Sequence, residues 1–179
     1  LIEREAAGLP AQVPRVPPAA LNEAAPTVSV LLANYNHARY LPTALAGICG
    51  QNRPPLEIIV VDDGSTDDSI AVIEEFARRF PNIRLLRNSI NRGQHYSIQC
   101  ALLAAQGDYI VWAASDDLLL PDFLERSVAV LKAHPSAGVC FSRLGVFVDG
   151  TSEVRRYDGQ TLGAAFDYGD TARLMPPEE

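Results

Sequence analysis

Along the chain, unbroken apolar runs alternate with segments whose apolar residues recur every three or four positions. "TVSVLLANYN" (27–36), "EIIVVD" (57–62) and "DYIVWAAS" (108–115) are continuous runs, the pattern of strands covered on both faces. "NIRLLRN" (82–88) reads as another strand. Between them, "ARYLPTALAGICGQ" puts Leu41, Leu45 and Ile48 on one helical face, with Pro42 in the first turn and Gly50 near the end. "STDDSIAVIEEFARRF" predicts a helix with Ile70, Ile73, Ala77 and Phe80 turned inward. Ser65 and Asp68 have the spacing of a capping pair, and Asp67 and Asp68 suit the positive end of the helix dipole. "HYSIQCALLAAQG" supplies Ile98, Leu102 and Ala105, and "PDFLERSVAVLKAH" opens on Pro121 and presents Phe123 or Leu124, Val128 and Leu131. "AGVCFSRLGVFV" (137–148) predicts a fifth strand, bent at Gly145.

Strands that alternate with helices over short loops imply right-handed crossovers and a mainly parallel sheet, an α/β fold. In such sheets ligands bind beyond the carboxyl ends of the strands. Two pairs of adjacent acids stand at such ends: Asp62 and Asp63, then Asp116 and Asp117. The domain is expected over 27–148. Residues 1–26 are rich in Ala and Pro and read as a linker or arm. Residues 149–179 lose periodicity and read as an irregular tail with a short helix near 171–174. The first residue is Leu1, and the chain is expected to be part of something longer.

Composition narrows the function. With 179 residues, 47% of them hydrophobic, the chain has the length and apolar content of one globular domain. A net charge of -7 argues against a nucleic-acid polymer as partner, so an anionic ligand must be held by local groups or a metal. Cys49, Cys100 and Cys140 are odd in number, widely spaced and without a CxxC pair, which fits small core hydrophobes in a reducing cytoplasm. No apolar run reaches the roughly 18–20 residues that span a bilayer. A cytoplasmic domain is expected, with membrane association, including at the inner membrane face, only through missing segments or a partner.

The acid pairs admit two readings. "DDGS" (62–65) fits the capping of an ordinary strand-to-helix turn, yet two acids exceed what capping needs. A carboxylate at a strand end also accepts hydrogen bonds from a nucleobase imide or a ribose, and Gly64 allows close backbone approach. Asp116 and Asp117 likewise precede a helix. As two hard oxygen ligands they suit Mg²⁺ or Mn²⁺, ions that share ligands with substrate phosphates.

"VSVLLANYN", "EIIVVDDGSTDDS", "NRGQ" and "GDYIVWAASDDLLLPDFLE", in that order and spacing, resemble the nucleotide-sugar half of the family 2 glycosyltransferases over residues 27–142. The resemblance implies the GT-A fold, a Rossmann-like three-layer sandwich, and transfer of a sugar with inversion from a nucleotide-diphosphate sugar to a glycan, lipid-linked or protein acceptor. It puts Asn34, Tyr35 and Asn36 where the first strand meets the nucleotide. It gives Asp62 or Asp63, the latter preferred, a contact to base or ribose beside Gly64, and sets Arg92 in the region enclosing the nucleoside. Asp116 and Asp117 match the DxD-like element, with Asp117 the preferred metal ligand and Asp116 near ribose, phosphate or the ion. Where many relatives have an acid two places before Asp116, this chain has Ala114, so which Asp holds the ion is left open.

The resemblance implies that the base for the acceptor proton comes from an acceptor-binding segment well downstream, expected outside this chain, with 149–179 read as an irregular tail or the start of that segment. Asp149, Asp158, Asp167 and Asp170 are weak candidates in that tail. A non-catalytic or partner-requiring nucleotide-sugar-binding module is the alternative. A nucleotidyltransferase would want a Gly-rich basic phosphate loop, and an oxidoreductase a GxGxxG after the first strand; "ANYNHARY" supplies neither. His37 and His95 lie near the site loops, His134 closes a helix, and Trp112 reads as core packing while Tyr35 is free to stack on a base or sugar.

Overall fold

A computed structural model describes residues 26–142 and the backbone of Gly145–Phe147 and Val154–Arg156. The arm at 1–25 and most of the predicted tail lie outside the described residues. The chain divides into two units, Leu1–Glu125 and Arg126–Glu179.

The first unit holds a four-stranded parallel sheet made of β1 (Val28–Asn34), β2 (Glu57–Asp62), β3 (Ile83–Arg87) and β4 (Tyr109–Ala114), in the order β3-β2-β1-β4. Helices α1 (Leu41–Cys49), α2 (Ser69–Arg79) and α3 (Gln94–Ala104) connect them, and α4 (Phe123–Ala133) follows. The first two crossovers step one way along the sheet and the third steps back across it. With right-handed connections, α1 and α2 therefore lie on one face and α3 on the other, giving three layers. β1 and β2 are covered on both sides, which is why their sequences are unbroken apolar runs. Leu31, Ile59 and Val61 pack with Ala101 of α3, supported by Leu86, Ile98, Ala104 and Ala105.

Several expectations shift by a fraction of a turn or a strand position. The buried positions of α2 are Ser69, Ile73 and Phe76, while Ile70, Ala77 and Phe80 are only half-buried. Small residues set the inward face of α3: Ser97 and Ala101 are buried and Leu102 is exposed, because the helix sits close over β1 and β2. β4 is an edge strand among the described residues, so Trp112 is 52% exposed and not core, with its ring edge-on to His95. The described residues of the 137–148 segment add no strand to this sheet. Its Gly145–Phe147 part, β5, pairs antiparallel with β6 (Val154–Arg156) in a separate two-stranded sheet of the second unit. The cysteines are free and half-buried. Burial pushes the Cys49 thiol up to about 11 against the pull of Arg79, so it stays protonated and inert. Among the described residues no helix is long and apolar enough to cross a membrane.

At the amino ends of the strands, buried Glu57 ties three elements together. It accepts bonds from Ser29 Oγ at 2.8 Å and Gln106 N at 2.7 Å, and pairs with Arg84 at 2.6 Å. Burial alone would raise its carboxyl, but these bonds outweigh burial and hold it below the ordinary carboxylate range. A lowered folded value means stability that is present above the unfolded value near 4.3 and is lost as pH falls through the folded one. Glu57→Ala should cost about 2 kcal/mol at neutral pH, since Ser29 Oγ and Gln106 N lose their acceptor and Arg84 keeps only Ala104 O. Glu57→Gln should lose stability less steeply than wild type below roughly pH 4.5; urea midpoints across pH 3–7 check both, and parallel profiles would refute the assignment.

Candidate active site

The order in which strands are added reverses between β1 and β4, and open α/β sheets form their ligand crevice outside the strand ends at such a point. The register places Asn34 beside Asp62 and Ala33 beside Ala114, so the loops after β1, β2 and β4 leave the sheet side by side. These loops carry Asn34–Asn36, Asp62–Ser65 and Asp116–Asp117.

The first two loops are bonded into one body. Asn34, 1% exposed, donates through Nδ2 to Asp62 Oδ1 at 2.9 Å and to Ser65 Oγ at 3.2 Å. Its Oδ1 is buried and without a partner among the described residues, an unmet acceptor of the kind that proteins retain where loop geometry serves a site. Asn36 adopts a left-handed φ of 54°, a conformation that Asn tolerates better than most residues. There its amide N–H donates to Ser65 Oγ at 2.9 Å, and its Oδ1 accepts from Thr66 N at 2.8 Å and Asp67 N at 3.3 Å. Asp67 answers by accepting from Ala38 N and Ser69 N. Burial works to raise the Asp67 carboxyl, but these bonds outweigh it and hold it low. The Ser65–Asp68 capping pair does not form: α2 begins at Ser69, and Ser65 serves the loop after β1 instead.

Both acids of the first pair turn inward. Asp62 accepts from Asn34 and from Ser65 N at 3.0 Å. Asp63, 3% exposed, accepts from Asn88 Nδ2 at 2.7 Å, Arg92 N at 2.9 Å and Gly93 N at 2.7 Å, which fastens the turn before α3 to the site. Gly64 has φ 74°, and a Cβ there would meet the backbone of Ile90 and Asn91 at 2.8 and 2.9 Å. The backbone it admits belongs to that same turn. Arg92 contributes its N–H to Asp63, while its guanidinium lies 5.1 Å over the Tyr96 ring. Tyr35 is exposed at the loop crest.

The second pair faces solvent. Partial burial of the Asp117 side chain, reinforced by the charge of Asp116, raises its carboxyl above the ordinary range. Just before it, buried Ser115 lies 2.6 Å from His37 Nδ1, joining the loop after β4 to the loop after β1. The downstream acids Asp149, Asp158, Asp167 and Asp170 lie outside the described residues.

Residues 29–176 match the sequence profile of the family described as Glycosyl transferase family 2. The chain belongs to that family. An uncharacterised glycosyltransferase of Nostoc sp. is 35% identical over 112 residues, 63% of this chain and 35% of the relative. TarS (residues 1–349) of S. aureus superposes with a TM-score of 0.57 at 28% identity, over 60% of this chain and 33% of that one. The mannosyltransferase PcManGT of Pyrobaculum calidifontis, solved with GDP-Man and Mn²⁺, gives 0.57 at 30% identity, over 63% and 34%. The sheet and these likenesses establish the GT-A fold. The chain spans about a third of the length of the relatives and structures it matches.

Proposed function

We propose that this chain is the donor-binding half of an inverting glycosyltransferase, which moves a sugar from a nucleotide-diphosphate sugar to an acceptor hydroxyl in glycan assembly. One observation carries the reading: three loops bearing Tyr35, Asp62–Asp63 and Asp116–Asp117 leave neighbouring parallel strands at the sheet's reversal point. Support comes from TarS, solved with UDP-GlcNAc and with UDP, and from PcManGT, solved with GDP-Man.

The residues divide by their geometry. Asn34, Asn36, Asp62 and Gly64 brace the loops, and exposed Tyr35 offers a ring to the base or sugar. Asp63 accepts three bonds of the roughly four that a carboxylate can take, which leaves one lone pair for a base or ribose donor. Exposed Arg92 flanks that position.

Asp116 and Asp117 fit a divalent ion, Mg²⁺ or Mn²⁺. Burial first and the neighbouring Asp116 charge second disfavour the Asp117 carboxylate, and a bound cation would offset both. No group of three or more His, Cys, Asp or Glu side chains gathers as a metal cage among the described residues, so the remaining ligands would be donor phosphates and water. When bound, the ion would supply charge stabilisation to the departing diphosphate. We assign the general base to none of the described residues. The half-buried free thiols suit a reducing compartment, the cytoplasm.

Calorimetric titration of UDP, GDP and dTDP into the chain, with and without Mn²⁺, tests the reading. One nucleotide should bind at least about tenfold more tightly with the ion, a gain of about 1.4 kcal/mol. Binding of none of the three under either condition would sink it. Binding without turnover of the matching sugar donor would instead mark a binding module.

A further inference from the structure

Asp116 and Asp117 are followed by a segment of irregular backbone that reaches α4. Its leucines secure it only in part: Leu118 and Leu120 are 42% and 62% exposed and Leu119 is half-buried. Polar groups at the end of α1 supply the rest. Gln51, 5% exposed, donates through Nε2 to Leu120 O at 2.7 Å and Gly47 O at 3.0 Å, with Leu119 O at 3.4 Å. Its Oε1 accepts from Leu124 N at 3.0 Å, and the adjacent Asn52 N donates to Pro121 O at 2.7 Å. One buried carboxamide thus satisfies backbone groups across residues 119–124, groups that neither helix nor sheet provides for. Gly47, one turn earlier in α1, lets the segment lie close, since a Cβ there would fall 2.7 Å from Leu118 Cδ1 and 3.0 Å from Leu119 O.

The acid pair is therefore held from both sides. Upstream, Ser115 is fixed against His37. Downstream, the segment is bracketed by Gln51.

We propose that Gln51 is a positioning residue for the acidic pair, fixing the separation and direction of the Asp116 and Asp117 carboxylates through residues 118–124 and so setting the affinity for a divalent cation. The cation role rests on the functional reading above. A ligand pair gains affinity from being held in its bound geometry, because the ordering cost is met during folding and not during binding.

Gln51→Met tests this by keeping length and volume while removing both the donor and the acceptor. Three readouts separate positioning from general support: Mn²⁺ alone, titrated into the protein and followed by electron paramagnetic resonance; amide hydrogen exchange of residues 115–124; and UDP, GDP and dTDP affinity without metal. The expected result is about tenfold weaker Mn²⁺ binding, the size typical of groups that orient metal ligands. Exchange across 115–124 should rise at least about tenfold, while metal-free affinity for whichever nucleotide binds stays within about twofold. Gly47→Ala is the second variant, and it favours the helix while pressing on Leu118 Cδ1 and Leu119 O. It should shift Mn²⁺ binding and exchange the same way, by about threefold. Equal losses of metal-free and Mn²⁺-supported nucleotide binding would overturn the proposal, as would wild-type Mn²⁺ affinity in Gln51→Met. If wild type binds neither Mn²⁺ nor nucleotide, the donor-site reading fails. Exchange at 115–118 then decides the positioning claim, and an unchanged rate in Gln51→Met overturns it.

Discussion

Asp117→Ala should abolish the metal-dependent part of nucleotide binding and lower sugar transfer by about 100-fold or more. The magnitude follows from losing a carboxylate where a bound ion contributes several kcal/mol, at tenfold per 1.4 kcal/mol. Fold stability should change little, because the Asp117 side chain is mostly open to solvent and only partly covered. The pH dependence carries a sign. A proton competes with a cation for the carboxylate, and the Asp117 carboxyl is held high by burial and then by Asp116. Mn²⁺ affinity of the wild type should therefore begin to fall, on acidification, above the ordinary Asp value near 3.9. In Asp116→Asn the charge contribution is gone and burial remains, so the onset should move to lower pH without reaching that value. Calorimetric Mn²⁺ titrations from pH 4 to 8 provide the check. An onset that does not move would mean that the two carboxylates do not share the site.

The second large effect is expected at Asp63, in stability as well as binding. Asp63→Ala removes an acceptor from Asn88 Nδ2, Arg92 N and Gly93 N in a covered position. Asn88 Nδ2 keeps Ser97 Oγ and Gly93 N keeps Asn91 Oδ1 as acceptors, so Arg92 N loses its partner and two shared bonds weaken, and a loss of roughly 2–3 kcal/mol is expected. The isosteric Asp63→Asn is not benign. Its carboxamide has one oxygen to keep for Asn88 and Arg92, which turns an NH₂ group toward the Gly93 N–H. Chemical denaturation should rank wild type above Asn and Asn above Ala, with nucleotide affinity falling in both. An Ala variant as stable as wild type, weakened only in nucleotide binding, would reduce Asp63 to a ligand contact and remove its role as a strut.

The sequence carried the central strands clearly and the periphery poorly, for physical reasons. The runs in β1 and β2 are apolar because both faces are covered, and Leu41, Leu45 and Ile48 of α1 are all buried as their spacing predicts. A similar run in β4 does not tell a central strand from an edge one, so Trp112 looked like core when it stands half open. In α3 the close approach to the sheet selects Ser97 and Ala101 over Leu102, a preference that hydrophobicity scores invert. At the site, acids at strand ends were legible as residue types, but the inward turn of Asp62 and Asp63 depends on partners in other loops. Gln51 gave no signal at all: it belongs to no motif, and the Leu120 carbonyl it holds lies 69 residues along the chain.

The strand order also bears on how the protein assembles. β1 pairs with β2 across a short connection, as in the Asn34–Asp62 bond spanning 28 residues, but its other edge waits for β4, as in the Thr27–Asp108 bond spanning 81. Closing the longer loop costs about 1 kcal/mol more in chain entropy. On the ribosome, β1, β2 and β3 emerge first, with one flank of the central strand bare. Such an edge accepts any extended chain that reaches it. The arrival of residues 109–114 thus creates the crevice and also retires the edge most able to recruit a wrong partner during synthesis.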